Sequence, residues 1–310
     1  MIPAPFEYAR AASLEEALSF LAEHGDEAKL LAGGHSLLPL MKLRLATPGV
    51  LVDIGRIEEL QYVRDEGEAV AIGALTTHHD LSRNPLLRRQ LPVVAHVAGQ
   101  IGDPQVRHRG TIGGSLAHGD AASDLPAVVL ALGGTLVALG RKGRREIPAS
   151  EFHNGFLETA LEPDEVLVEV RLGKSGGTGW GFEKLTKRAQ DWAIVAAVAV
   201  QREDAPGGVG VGLVNMASVP IRAASVEAAL ADGASVAEAA ELADADSDPG
   251  ADINASVEYR RHVAKVLVRR ALERALAGPA GGDGGAGAAG GAGGAGGAGG
   301  AGAASEGGSS

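Results

Sequence analysis

Apolar residues at 14, 17, 18 and 21 recur at the spacing of one helical face within segment 13–22. Ser13 stands where an N-cap belongs, Glu16 follows at capping-box distance, and Gly25 supplies a stop. An apolar stretch at 29–32 predicts a short strand, 37–45 mixes apolar and basic positions, and 50–54 predicts another strand. The beginning of the chain therefore reads as strand, loop, helix, strand. Beyond it the pattern predicts a strand at 69–72, a helix at 91–101 that leads through Asp103-Pro104, and a buried helix at 124–132. Strands at 135–139 and 165–170 follow, separated by a basic turn at 141–145. A first domain, residues 1–172, closes here.

Segment 173–179 has the glycine-rich composition of a linker. After it the pattern changes: strand-like 181–187, apolar 193–200, strand-like 209–216, then helical spacing at 225–230, 235–243 and 257–277. The last of these carries Arg and Lys toward its C-terminal end, where they suit the helix dipole. The expected plan for residues 178–277 is a small sheet covered by helices on one face. Residues 278–310 are Gly-Gly-Ala repeats, too poor in large side chains to offset ordering entropy, and are expected to be disordered.

Without that tail, roughly 275 of the 310 residues remain for folding, enough for two domains of ordinary size. The core must be aliphatic, since aromatics make up 3%, and Trp180, Phe182 and Trp192 fall close together in the chain. A net charge of −11 and a pI near 5.3 argue against nucleic acid bound through a broad basic surface. With no cysteine, the chain cannot supply disulfides, thiolate metal sites or cysteine-ligated iron–sulfur clusters. The N-terminal residues have no basic head or secretory apolar stretch, and the longest apolar run, 193–200, is far shorter than the ~20 residues that cross a bilayer. A soluble, cytoplasmic protein without a transmembrane segment is expected.

Candidate chemistry lies in two glycine pairs about eighty residues apart: Ala32-Gly33-Gly34-His35-Ser36, and Thr111-Ile112-Gly113-Gly114-Ser115 preceded by Arg109-Gly110. Each pair lets the backbone turn tightly and aim consecutive N–H groups outward, which makes a concave anion site. Two such sites suit a diphosphate, and ordinary turns are the plain alternative. Neither matches the G-x-G-x-x-G or G-x-x-x-x-G-K-[ST] patterns of common nucleotide folds. His35 is expected to contribute its backbone N–H. In Thr76-Thr77-His78-His79, adjacent histidines on a strand would point apart and no third ligand is evident, so no metal is assigned. Arg107, His108 and Arg109 could answer phosphate charge, face a partner, or be solvated.

Together with Met41-Lys42-Leu43-Arg44-Leu45-Ala46, Ser123-Asp124-Leu125-Pro126 and Glu183-Lys184-Leu185, these motifs identify a resemblance. The chain resembles the FAD-binding medium subunit of molybdenum hydroxylases, the xanthine dehydrogenase family, and most closely its aerobic carbon monoxide dehydrogenase branch, over residues 1 to about 275. The resemblance implies an α+β fold: a two-lobed PCMH-type FAD domain, like that of vanillyl-alcohol oxidase, followed by a smaller sheet-and-helix domain. It implies FAD as cofactor and two partners, a small subunit with [2Fe-2S] clusters and a large molybdopterin subunit, in a dimer of heterotrimers. Electrons would pass from iron–sulfur through this FAD to an acceptor such as a quinone.

By the same resemblance, Ala32 to Ser36 and Thr111 to Ser115 would wrap the FAD pyrophosphate. Asp124 would bind ribityl or ribose hydroxyls, with helix N-capping as its other use. Lys184 would stand near the isoalloxazine and raise its reduction potential, and the backbone at Leu167 would approach the flavin unless that leucine is simply core. Trp192 replaces the tyrosine expected beside the isoalloxazine. It would stack there or pack between domains. No residue is assigned a catalytic proton transfer. A xanthine-, aldehyde- or nicotinate-type hydroxylase subunit, a self-contained flavin oxidoreductase and a non-enzymatic scaffold are the other readings the chain leaves open.

Overall fold

The computed structural model describes residues 2–278, so all but the first residue of the Gly/Ala-rich tail lies outside the described residues. The chain opens with β1 (Glu7–Arg10), α1 (Leu14–His24), β2 (Ala28–Leu31), α2 (Leu37–Lys42) and β3 (Val50–Asp53), whose strands form a parallel sheet of order β1-β3-β2. Ser13 caps α1 as the spacing predicts, its hydroxyl accepting from the Glu16 N–H at 3.2 Å. The return bond differs from a capping box, because the Glu16 carboxylate accepts from the N–H of Ala12 at 2.7 Å. Leu14, Ala17 and Leu21 are buried on one face, each leucine contributing about 2 kcal/mol. Ser13→Ala should cost ~1 kcal/mol, read as a lower urea midpoint, and an unchanged midpoint would show that the cap is energetically silent. The pattern missed β1 because three of its four residues are exposed; backbone bonds hold it, including Glu7 N–H to the Gly49 carbonyl at 2.8 Å.

The next region contains β4 (Val63–Glu66) and β5 (Ala69–Gly73), then the helices α3 (His78–Arg83), α4 (Pro85–Gln90), α5 (Pro92–Gln100), α6 (Pro104–Arg107), α7 (Ile112–His118) and α8 (Asp124–Ala131). It ends with β6 (Thr135–Gly140), β7 (Gly143–Pro148), β8 (His153–Gly155), β9 (Glu158–Thr159) and β10 (Val166–Gly173). Five of these strands make an antiparallel sheet of order β4-β5-β10-β6-β7. The basic stretch expected as a turn is a tight turn plus the first residues of β7, which pairs back on β6. Thr76 to His79 do not form a strand. The Thr77 hydroxyl accepts from the Asp80 N–H at 3.1 Å and starts α3 at His78. Asn84 and Asp103 cap α4 and α6 in the same way, each followed by proline at the first helical position, where its missing N–H is harmless.

The last region is a four-stranded antiparallel sheet, β11 (Trp180–Leu185), β12 (Val195–Gln201), β13 (Val209–Val214) and β14 (Ile221–Arg222), with α9 (Ala224–Ala231), α10 (Val236–Ala240) and α11 (Val257–Leu276). The region's own helices, α9 to α11, join the core on one face of this sheet as expected, and helices of the preceding region cover the other. On β12, Val195, Ala197 and Ala199 join the core formed with α11, whereas Ala196, Val198 and Val200 join the core that contains α5 and α8. With both faces covered, β12 has no polar side and reads as an unbroken apolar run. Helix α8 lies directly on β13: a Cβ on Gly210 or Gly212 would collide with the carbonyl oxygens of Ala131 or Ala127. These small residues bring the helix close and so set the position of Asp124 at its start. Among the described residues, no helix is long and apolar enough to cross a membrane.

Candidate functional site

A cavity of about 910 Å3 opens between the β2–α2 unit, α7, the start of α8, β10 and the β11–β12 connection. This is at the upper end of the usual range for ligand sites, about 300–1,000 Å3. Of the fourteen residues singled out from the sequence, thirteen line it: Ala32, Gly33, Gly34, His35, Ser36, Thr111, Gly113, Gly114, Ser115, Asp124, Leu167, Lys184 and Trp192. Ile112 is the exception. Its side chain is fully buried in the core, and its N–H donates to the Thr76 carbonyl at 3.1 Å.

The two glycine pairs reach the cavity by different means. In the first, the backbone N–H groups of Gly33, Gly34, His35 and Ser36 have no protein acceptor among the described residues. Gly34 takes φ +76°, and His35 folds back so that its Nδ1 lies 3.2 Å from the Gly33 carbonyl. Such a run of free amides is an anion-binding concavity. The second pair corrects the expectation of a loop, because Gly113 and Gly114 are the second and third residues of α7. Their amides are already engaged: Gly113 N–H with the Ala74 carbonyl at 2.8 Å, and Gly114 N–H with the Thr111 hydroxyl at 3.1 Å. What remains for a ligand is the Thr111 hydroxyl hydrogen and the Ser115 hydroxyl.

Close packing explains these glycines. A Cβ on Gly33 would overlap the Arg109 carbonyl oxygen, and one on Gly113 would sit 2.5 Å from the Ala74 Cβ. The two motifs are thus pressed together, eighty residues of sequence notwithstanding. Arg107 is not among the lining residues; its Nη1 donates to the carbonyls of Ile101 and Gly102 at 3.0 and 2.9 Å. Arg109 and His108 are exposed, and the His108 ring stacks on that of His79 with centroids 3.9 Å apart.

Asp124 and Lys184, sixty residues apart, form one unit. Lys184 Nζ donates to Asp124 Oδ2 at 2.6 Å, with side-chain exposures of 10% and 4%. Asp124 does not cap α8: it is the first helical residue, after Ser123. Its other oxygen, Oδ1, is buried without a partner. Burial pushes the Asp124 carboxyl above the ordinary carboxylate range, and the Lys184 ammonium pulls it back. Leu167 packs in the core and also lines the cavity, one residue before the bulge that interrupts β10. Trp192 is 57% exposed, which overturns packing between domains, and it stands apart from Trp180 and Phe182, whose rings flank His96.

Sequence reasoning missed one wall of the cavity, supplied by Asn154, Leu157, Glu158 and Thr159 of the β8–β9 hairpin. The segment is short and aperiodic, and tertiary anchors bring it there, among them the fully buried Phe152 and His153 Nε2 at 3.1 Å from the Leu116 carbonyl. Among the lining residues Lys29 and Lys184 are the lysines and no arginine occurs. The described residues hold no cluster of His, Cys, Asp and Glu suited to a metal ion.

A large, mixed-polarity cavity floored by free backbone amides, with an orphaned carboxylate oxygen farther along, defines a nucleotide-binding protein. Comparison with known proteins gives the finer class. Residues 4–174 match the FAD binding domain in molybdopterin dehydrogenase, and residues 180–275 match the CO dehydrogenase flavoprotein C-terminal domain. The chain is 42% identical to the carbon monoxide dehydrogenase medium chain of Hydrogenophaga pseudoflava, covering 89% of this chain and 99% of that one. It is 38% identical to the 6-hydroxypseudooxynicotine dehydrogenase complex subunit alpha of Paenarthrobacter nicotinovorans, over 89% and 96% of the two chains. A solved carbon monoxide dehydrogenase from Hydrogenophaga pseudoflava superposes with a TM-score of 0.86 at 44% identity, covering 89% of this chain and 99% of that chain. The chain belongs to the FAD-binding family of the molybdopterin dehydrogenases. Its cavity fits that cofactor on its own terms, since the free amides suit a diphosphate and the partnerless Asp124 Oδ1 awaits a hydroxyl donor.

Proposed function

We propose that this protein is the FAD-carrying electron-transfer subunit of a molybdenum hydroxylase of the carbon monoxide dehydrogenase type. The observation that carries the reading is the convergence, in one FAD-sized cavity, of the free amides at 33–36, the Thr111 and Ser115 hydroxyls and the Asp124–Lys184 pair. FAD supplies the redox chemistry, exchanging electrons singly or in pairs. The chain's own residues hold and tune it. The amides of residues 33–36 and the two hydroxyls bind the diphosphate, and Asp124 Oδ1 accepts from ribityl or ribose hydroxyls. Lys184 presents a cation toward the isoalloxazine and raises its potential, Trp192 offers a stacking face, and the Leu167 backbone lines the flavin. No side chain moves a proton in this scheme.

The same reading assigns a PCMH-type fold to residues 1–172 and a separate C-terminal domain to 178–277, supported by family matches that break between 174 and 180. It also assigns a cytoplasmic location and two partners, a small [2Fe-2S] subunit and a large molybdopterin subunit, in a dimer of heterotrimers. A chain without cysteine agrees with clusters held elsewhere. In this reading electrons would enter from the iron–sulfur subunit and leave to an external acceptor such as a quinone. The test is to purify the chain with and without these two subunits and record flavin content and visible spectrum. One FAD per chain in the complex, bleached by the complex's substrate, is the expected result; a colourless chain in both preparations overturns the reading.

A further inference from the structure

We propose that His78 is a cofactor-binding residue whose Nε2–H donates a hydrogen bond to the diphosphate of the bound dinucleotide; this rests on the FAD reading above. His78 lines the cavity although only 4% of it is exposed. Its Nδ1 is sealed off with no partner, while Nε2, also without a protein partner among the described residues, is not sealed. The backbone explains the open edge. His78 N–H donates to the Gly110 carbonyl at 2.9 Å, and a Cβ on Gly110 would lie 2.9 Å from Nε2 and 2.7 Å from Cδ2. Glycine at 110 therefore leaves the Nε2 edge uncovered. Gly110 in turn packs against Gly33, whose Cβ would lie 3.0 Å from the Gly110 Cα. The imidazole, Gly110 and Gly33 form a continuous layer beside the free amides of the first glycine loop.

The protonation state suits a donor. Burial, with His35 and Arg107 nearby, pushes the imidazole down to about 4, so near neutral pH the ring carries a single N–H. An N–H sealed away without an acceptor is more costly than a bare ring nitrogen, which places the hydrogen on Nε2, facing the cavity. The lining contains no arginine and Lys184 is tied to Asp124, which leaves Lys29 as the one lining cation outside that pair; most of the donors offered to a diphosphate are therefore uncharged. A buried imidazole N–H adds one to the amides and the Thr111 and Ser115 hydroxyls.

The test titrates the flavin-depleted full chain with FAD, followed by fluorescence, and with ADP as a competitor that carries the diphosphate without the flavin. His78→Phe keeps the ring and removes the donor; His78→Gln keeps a donor near Nε2. His78→Phe should weaken both FAD and ADP by ~10- to 100-fold, the scale of one hydrogen bond to a charged group, while His78→Gln stays within roughly threefold of wild type. Apo melting temperatures should stay close to wild type. Equal weakening in both variants with lowered apo melting temperatures would make His78 structural and overturn the proposal, as would unchanged affinity in both. If His78→Phe does not fold, the wild-type imidazole nitrogen resonances decide: an Nε2–H signal that shifts on ADP addition supports the assignment, and one that does not move overturns it. A wild-type chain that binds no FAD even with its partner subunits would instead overturn the function on which the proposal rests, a distinguishable result.

Discussion

Gly33→Val is expected to abolish FAD retention. The added Cβ would overlap the Arg109 carbonyl oxygen, and backbone, unlike the end of a flexible side chain, cannot swing aside. Either the first loop or the segment entering α7 must move, and overpacking of this kind costs about 1–3 kcal/mol before any ligand is considered. The larger effect falls on binding, because the displaced loop carries the free amides of residues 33–36. Losing the alignment of two or more donors to a diphosphate should weaken FAD by ~100-fold or more. Flavin-to-protein ratio after gel filtration reads this directly, and far-UV circular dichroism shows whether the C-terminal sheet and helices persist. Full flavin occupancy in the variant would remove the 33–36 loop from the site.

Lys184→Met should be the most destabilising change in the cavity wall and should reverse part of its own effect at low pH. The substitution leaves a nearly fully buried carboxylate without its cation, and breaking such a pair costs about 3–5 kcal/mol. Burial already pushes the Asp124 carboxyl up; without the ammonium that opposes it, the shift grows. An acid whose folded-state pKa is raised favours folding in its protonated form. That contribution is fully present below the unfolded value, about 4, and is lost as pH rises through the folded value. The variant should therefore lie closest to wild type near pH 4–5 and farthest from it above neutrality. Urea unfolding at pH 5 and pH 7.5 measures the difference, and Asp124→Asn in the same chain should recover stability at pH 7.5. A deficit independent of pH would mean that Asp124 is not the group left unpaired. Where the variant retains FAD, the potential should fall if Lys184 faces the isoalloxazine as proposed, because the cation would then be gone.

Much of the fold was legible because its signals are local. Ser13 caps its helix as its spacing predicts, and the apolar runs of β3 and β13 mark buried strands. Strands β1 and β4 were not legible, since both are mostly exposed and owe their place to backbone pairing with β3 and β5. Helices α3, α4 and α6 did carry readable caps in Thr77, Asn84-Pro85 and Asp103-Pro104, but each is too short for apolar periodicity. Gly113-Gly114 misled for a physical reason. Glycine disfavours helix, so a pair suggests a loop, yet contact with Ala74 demands glycine there and overrides the propensity.

By itself, the sequence determined the types of group in the site: glycine-rich backbone, small hydroxyls, one carboxylate and one lysine. It also ruled out cysteine-ligated clusters in this chain. Tertiary structure alone decided which groups remain free to act. Packing of α8 on β13, and pairing of β11 with β12, set Asp124 against Lys184; the contact of Gly33 with Arg109 joined the two glycine motifs. The Thr111 cap took the Gly114 amide and the carbonyls of Ala74 and Thr76 took those of Gly113 and Ile112, whereas the amides of the first motif were left unpaired. Residue type and spacing are local properties of a chain, whereas a donor's availability depends on which distant group folding brings against it.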